Sequence, residues 1–214
     1  MRLSYMLCAT VTVVALVAAP GCTRVVTGGA VRGAGTPGAK SSQCKQVSAS
    51  LTPIQSHAAG EPRLLIPQPP GWQPASVPDS EIIRFTMRNK ASSAKNFMTT
   101  AVVTLESVPG GNTDHQTIFD QERATLIDRL GVTGLHTVQT TLCGDTAEIV
   151  SYDTPRTRRI PSRRIKTLMV ASAFNGKTYV ATVTVQSTKA GNHKSARDTE
   201  TILTGFQMLP PGAG

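Results

Sequence analysis

Asn175-Gly176 constrains the fold more than any other feature of this chain. The pair separates two apolar runs, 165–174 (IKTLMVASAF) and 178–186 (TYVATVTVQ). A two-residue type I′ turn needs positive φ at both central positions, and Asn-Gly adopts this at low cost. In the second run Tyr179, Ala181, Val183 and Val185 point one way. Thr178, Thr182 and Thr184 point the other, with Val180 alone out of pattern. The pattern predicts an antiparallel hairpin with one face in the core and one partly solvated.

Further strands are expected at 63–66, 82–87, 98–108, 137–142 and 146–152, with Cys143-Gly144-Asp145 turning between the last two. The 98–108 run is rich in Thr and Val, which fit a pleated surface. Two helices interrupt the strands. At 114–130, Thr113 and Gln116 have capping-box spacing and Gly131 supplies a stop. Ile118, Phe119, Leu126, Ile127 and Leu130 form its apolar stripe. A second helix at 195–204 buries Ile202 and Leu203, with Phe206 beyond them. The order strands, helix, four strands, helix predicts an α+β domain, an antiparallel β-sheet flanked by helices. No internal repeat is present.

The N-terminus says where the chain works. Arg2 precedes an apolar run, 7–19, that closes on Ala19-Pro20-Gly21-Cys22. The run is shorter than the about 20 residues that span a bilayer, and Pro20-Gly21 breaks a helix there. It is an export signal. A small residue before Cys is what a lipoprotein signal peptidase needs, so Cys22 is the expected lipidation site. The protein would sit on the outer face of the cell membrane, held by buried methylenes at about 0.8 kcal/mol each. Residues 1–21 are then the signal peptide and 22–43 a lipidated, Gly-rich, flexible tether. Residues 44–209 form a single domain, and 210–214 a disordered tail.

Four cysteines are present. Cys8 leaves with the signal and Cys22 carries lipid. Cys44 and Cys143 remain, an even pair in an oxidising compartment, and are expected to be bridged rather than buried as free thiols. The formal charge is +9, of which Arg2 is lost with the signal. Such a surface suits anionic partners, phospholipid head groups or wall polymers. With aromatics at 4%, base stacking has little to work with, and nucleic acid is not an expected partner.

A set of short motifs occurs in order: Pro67-Gln68-Pro69-Pro70-Gly71-Trp72, Ile82-Ile83-Arg84-Phe85, Phe97 with Thr104-Leu105, Cys143-Gly144, and Ile202-Leu203-Thr204-Gly205-Phe206. In these the chain resembles the LpqN/LpqT lipoproteins of mycobacteria and their relatives. The resemblance implies a Mog1/PsbP-like fold and a non-enzymatic role in the cell envelope, with links to lipid or glycolipid handling. It supplies no catalytic motif.

Several constellations remain. Trp72, the one Trp, either caps the core or lines a ligand site. Arg156, Arg158, Arg159, Arg163, Arg164 and Lys166 fall within eleven residues with no acid among them. This segment either contacts anionic lipid heads, since the planar guanidinium binds phosphate bidentately, or is a solvated loop. His57, His115, His136 and His193 are scattered without metal-ligand spacing, so no metal is expected. Ser92 with Lys95, and Ser42 with Lys45, fit S-x-x-K, but the partner motifs of penicillin-recognising enzymes are missing and Ser92 falls in an expected turn. Glu122 and Asp128 beside Arg123 and Arg129 read as a solvated helix face, and Asp145 as a turn residue.

The expectation is a membrane-anchored, non-catalytic binding domain without cofactor. It would handle an envelope lipid or glycolipid, or assist its export beside an export protein. A protein-interaction module without a pocket is the alternative, and an envelope hydrolase the second. Any pocket is expected between sheet and helix, near Trp72 and the first helix.

Overall fold

The computed structural model describes residues 43–76, 80–94, 97–111, 113–158, 161–187 and 193–212, with side chains omitted at 92–94. Cys22, the signal, the tether to residue 42 and Arg159 lie outside the described residues. Among the described residues ten strands and two helices follow in the order β1 (Ser50–Ile54), β2 (Arg63–Gln68), β3 (Trp72–Pro74), β4 (Ile83–Ala94), β5 (Phe97–Pro109), α1 (His115–Leu130), β6 (Thr133–Leu142), β7 (Asp145–Asp153), β8 (Arg164–Phe174), β9 (Lys177–Ser187), α2 (His193–Gly205) and β10 (Gln207–Leu209). The architecture is α+β, as expected, but the strands form two antiparallel sheets. One has seven strands in the order β3-β4-β5-β9-β8-β7-β6, the other three in the order β1-β2-β10.

The hairpin forms as its sequence dictates. β8 pairs β9 in unbroken register from Arg164↔Ser187 to Phe174↔Lys177, and Asn175 and Gly176 both have positive φ (51° and 74°). Cys143 and Gly144 repeat this geometry (51° and 88°) between β6 and β7. Cys143 takes the position that Asn fills in the other hairpin, at the conformational cost of a left-handed non-glycine residue.

Val180 was out of pattern for a physical reason. The large sheet is covered on both faces. Ala181, Val183 and Val185 pack with Leu168, Ile202, Leu203 and Phe206 and with Leu64, Ile66 and Met208 of the small sheet. Val180 points to the other face, into a second core with Met169, Val150, Ile118 and Phe119 under α1. The expected partly solvated face is therefore the floor beneath a helix. α2 ends at Gly205, where a Cβ would come within 2.5 Å of Val47 and 2.8 Å of Pro67. Only glycine lets that helix end close over β2.

α1 departs from its sequence reading twice. Its N-cap is Asp114, not Thr113: the carboxylate accepts from the backbone N–H of Gln116 and Thr117 at 3.2 and 3.1 Å. An anionic cap also complements the helix dipole, which a hydroxyl cannot. Of the apolar stripe only Ile118 and Phe119 are buried, while Ile127 and Leu130 are 50% and 55% exposed. Leu130 lies about three turns from Phe119, on the same face. It is exposed because the space beneath it is empty.

Candidate functional site

That space is a cavity of about 350 Å³. α1 stops at Leu130 in a left-handed Gly131 cap, while β7, β8 and β9 run on past it. The uncovered ends supply the floor, Tyr152, Ile165 and Thr184, and Leu130 and Pro155 add apolar walls. The rim is polar: Thr154, Thr157, Arg163 and Gln186. The volume falls at the small end of the about 300–1,000 Å³ typical of ligand pockets, and the apolar floor with a few polar groups is their usual chemistry.

Arg163 is the best-positioned cation at the rim. Its guanidinium carbon lies 3.9 Å from the centroid of Phe97, and Nη1 donates to Gln186 Oε1 at 3.4 Å. Its backbone N–H donates to Thr154 Oγ1 at 3.0 Å, which ties the two ends of the β7–β8 connection together. Nε is buried without a hydrogen-bond partner. The guanidinium is thus held by a ring and an amide and carries no carboxylate partner among the described residues. Burial pushes the Tyr152 phenol up, against a hydrogen bond with Thr167 that lowers it, so the floor stays neutral at physiological pH.

The basic segment divides into three fates. Arg156 and Arg158 are exposed on the β7–β8 connection and make no ion pair with a described residue. Arg164 pairs with Asp153 through two hydrogen bonds of 2.7 and 2.8 Å, and Lys166 pairs with Glu200 at 3.2 Å. These acids come from a neighbouring strand and from α2, so the local sequence could not reveal them.

Trp72 lines neither the cavity under Leu130 nor the one beside the disulfide. It is 2% exposed and belongs to the core under α2, on the sheet face opposite α1. Pro69-Pro70-Gly71 turns the chain so that the Trp72 N–H donates to Pro69 O, and the indole N–H donates to Asp198 Oδ2 at 3.1 Å. The expected pocket beside α1 exists, but not near Trp72. Cys44 and Cys143 are disulfide-bonded, closing a sequence separation of 99 residues and pinning the start of the domain to the β6–β7 turn. Chain-entropy arguments give about 4–5 kcal/mol for such a loop. A second cavity of about 200 Å³ lies beside this bridge, against Leu168 and Leu203 on the α2 face.

Chemistry-bearing residues elsewhere are accounted for by structure. Arg123 is not on a solvated face: it reaches inward to Glu148, which is 1% exposed, at 2.5 Å, and also pairs with Asp120. Burial and the neighbouring Glu106 push the Glu122 carboxyl up. Asp145 opens β7 and accepts from Ser172 at 2.9 Å. Ser92 lies in β4 rather than a turn, and Ser42 and Lys95 fall outside the described residues. His57, His136 and His193 are exposed and His115 is half-buried. Among the described residues no three His, Cys, Asp or Glu side chains are grouped to hold a metal.

Comparison with known proteins fits this geometry. The family model described as "Probable lipoprotein LpqN" matches residues 43–209. The chain belongs to this LpqN family. The match spans both sheets, both helices, the disulfide and the rim of the larger cavity. The crystal structure of LpqN from Mycobacterium tuberculosis, described as involved in cell envelope biogenesis, superposes with a TM-score of 0.60 at 16% identity. It covers 77% of this chain and 93% of that one, and at this identity the likeness speaks for the fold. No curated protein matches.

Proposed function

We propose that this LpqN-family chain is an exported lipoprotein of the cell envelope, anchored by lipid at Cys22 to the outer face of the cell membrane, whose domain binds an amphiphile and performs no chemistry on it. The observation that carries this reading is the cavity under Leu130: an apolar floor for an acyl chain, with Arg163 at its rim and Arg156 and Arg158 exposed beside it. Guanidinium groups at the mouth of an apolar slot suit a phosphate-bearing lipid or glycolipid head. The role of M. tuberculosis LpqN in envelope biogenesis supports a part in handling or exporting such a lipid. Tyr152 and Arg163 are the titratable groups among the lining residues, so the cavity offers no carboxylate or imidazole for acid–base work.

The test is native mass spectrometry of the mature chain, purified from its own envelope without detergent. A retained lipid or glycolipid mass is expected, and it should vanish in Thr184→Phe, which fills the cavity floor. A bare protein mass for the wild type would refute the reading.

A further inference from the structure

β6 closes the large sheet on one side, and no described strand pairs with its outer edge. The other edge strands are protected. β3 and β10 have three residues each, and β3 ends in Pro74. β1 carries Pro53. Short strands, prolines and charges keep an edge from pairing with another chain. β6 has none of these. Its ten residues include no proline, lysine, arginine or acid, and every residue from His136 to Thr141 is exposed.

The β6–β7 turn decides which backbone groups point outward. Leu142 and Asp145 flank the two-residue Cys143-Gly144 turn, so they form a hydrogen-bonded pair, and bonded and non-bonded pairs alternate from there. Val138 and Thr140 direct their N–H and C=O groups to β7. Thr137, Gln139 and Thr141 direct theirs outward. The register is continuous from His136 to Leu142 and breaks before it, where Gly134 has a φ of 62°. The regular edge is therefore 136–142, and Gln139 is its midpoint.

We propose that a second copy of this chain pairs antiparallel with this edge, on a two-fold axis through Gln139, joining the two large sheets into one. The edge is complementary to itself. With Gln139 opposite Gln139, Thr137 meets Thr141 and Val138 meets Thr140, each twice. Directly opposed residues share a sheet face. Val138 lies opposite Ile149, which packs on the core under α2, and Thr140 lines the cavity of about 200 Å³ on that face, with Ile149, Leu168 and Leu203 as its apolar walls. Each copy thus brings its Val138, 50% exposed in the single chain, beside the other copy's cavity. A lipid surface does not fit this edge, because the outward N–H and C=O groups need partners that acyl chains lack. A strand of another protein would match the hydrogen bonds, but this chain already holds both halves of the side-chain match. An uncharged edge is also where two copies with a formal charge of +9 approach at least cost. The proposal rests on neither the anchor at Cys22 nor the cavity under Leu130.

The mature chain is made with Cys22→Ser, so that neither lipid nor a free thiol drives association. Sedimentation velocity over a dilution series should show a monomer–dimer equilibrium. Val138→Lys sets a charge against Thr140 of the other copy. It should weaken the dimer about tenfold or more and leave the melting curve unchanged, since the side chain is half in solvent. Mild oxidation then reads the register. Gln139→Cys should link to itself, because opposed residues of a bonded pair lie about 5.5 Å apart, within disulfide reach. Thr137→Cys should not link to itself, being offset by about 13 Å along the strand, but should link to Thr141→Cys when the two are mixed. A monomer at every concentration would overturn the proposal. So would a dimer that Val138→Lys leaves intact, or equal self-linking of Gln139→Cys and Thr137→Cys. Should Val138→Lys disturb the fold, the linking pattern of the exposed Gln139 and Thr137 decides alone.

Discussion

The indole N–H of Trp72 donates to Asp198 Oδ2 across 126 residues of sequence, fastening the Pro-Pro-Gly turn to α2. Lys194 closes the arrangement, with Nζ 2.8 Å from the same Asp198 oxygen and 3.5 Å from Pro70 O. Trp72→Phe removes one donor from a carboxylate that is 8% exposed and leaves a smaller ring in the core. A loss of about 2 kcal/mol is expected in urea unfolding followed by circular dichroism. Lipid retention should be unchanged, because Trp72 and the cavity lie on opposite faces of the sheet. A variant that unfolds normally but loses its lipid would place Trp72 in the binding site instead.

Glu61 and Arg84 form another well-buried tie, at 2.8 Å with side chains 10% and 9% exposed. Burial alone would raise the Glu61 carboxyl. Hydrogen bonds from Arg84 and from the backbone of His57, with the Arg84 charge, outweigh it and hold the carboxyl below its ordinary 4.5. Because the folded value is the lower one, the unfolded chain takes up the proton first as pH falls. The stabilisation is therefore complete above 4.5 and disappears as pH drops through the folded value. Glu61→Gln leaves Arg84 buried without its counter-charge and should cost about 3 kcal/mol at neutral pH. The gap between variant and wild type should close in acid. A gap independent of pH would show that shape, not charge, is what Glu61 supplies.

The sequence was most informative where local chemistry decides structure. Asn175-Gly176 fixed a turn, and the alternation from Tyr179 to Val185 fixed a strand, because both effects act over a few residues. The small sheet was less legible. β1, β3 and β10 are short, and Gln207–Leu209 is a strand only because β2 waits to pair with it. The cavity could not be read from the α1 stripe, since Leu130 has the periodicity of a core residue and differs only in what lies beneath it. The basic segment looked uniform for the same reason. Asp153 and Glu200 neutralise two of its members through tertiary pairing, leaving Arg163 at the cavity rim and Arg156 and Arg158 exposed on the β7–β8 connection.

Arg163 makes the sharpest test of the cavity's chemistry. Its guanidinium lies over the Phe97 ring, and Arg163→Met puts an apolar side chain of similar reach there while removing the charge. The backbone bond to Thr154 survives, and the connection between β7 and β8 should stay closed. A hydrogen bond to a charged group contributes about 1.5–3 kcal/mol, so retention of a phosphate-headed lipid should fall by about tenfold or more. Retention of an uncharged glycolipid should hardly change, because the floor of Tyr152, Ile165 and Leu130 is untouched. Competition between the two lipid classes, read by native mass spectrometry of wild type and variant, measures this directly. An equal loss of both classes would mean that Arg163 shapes the rim, and an unchanged preference would remove it from head-group recognition.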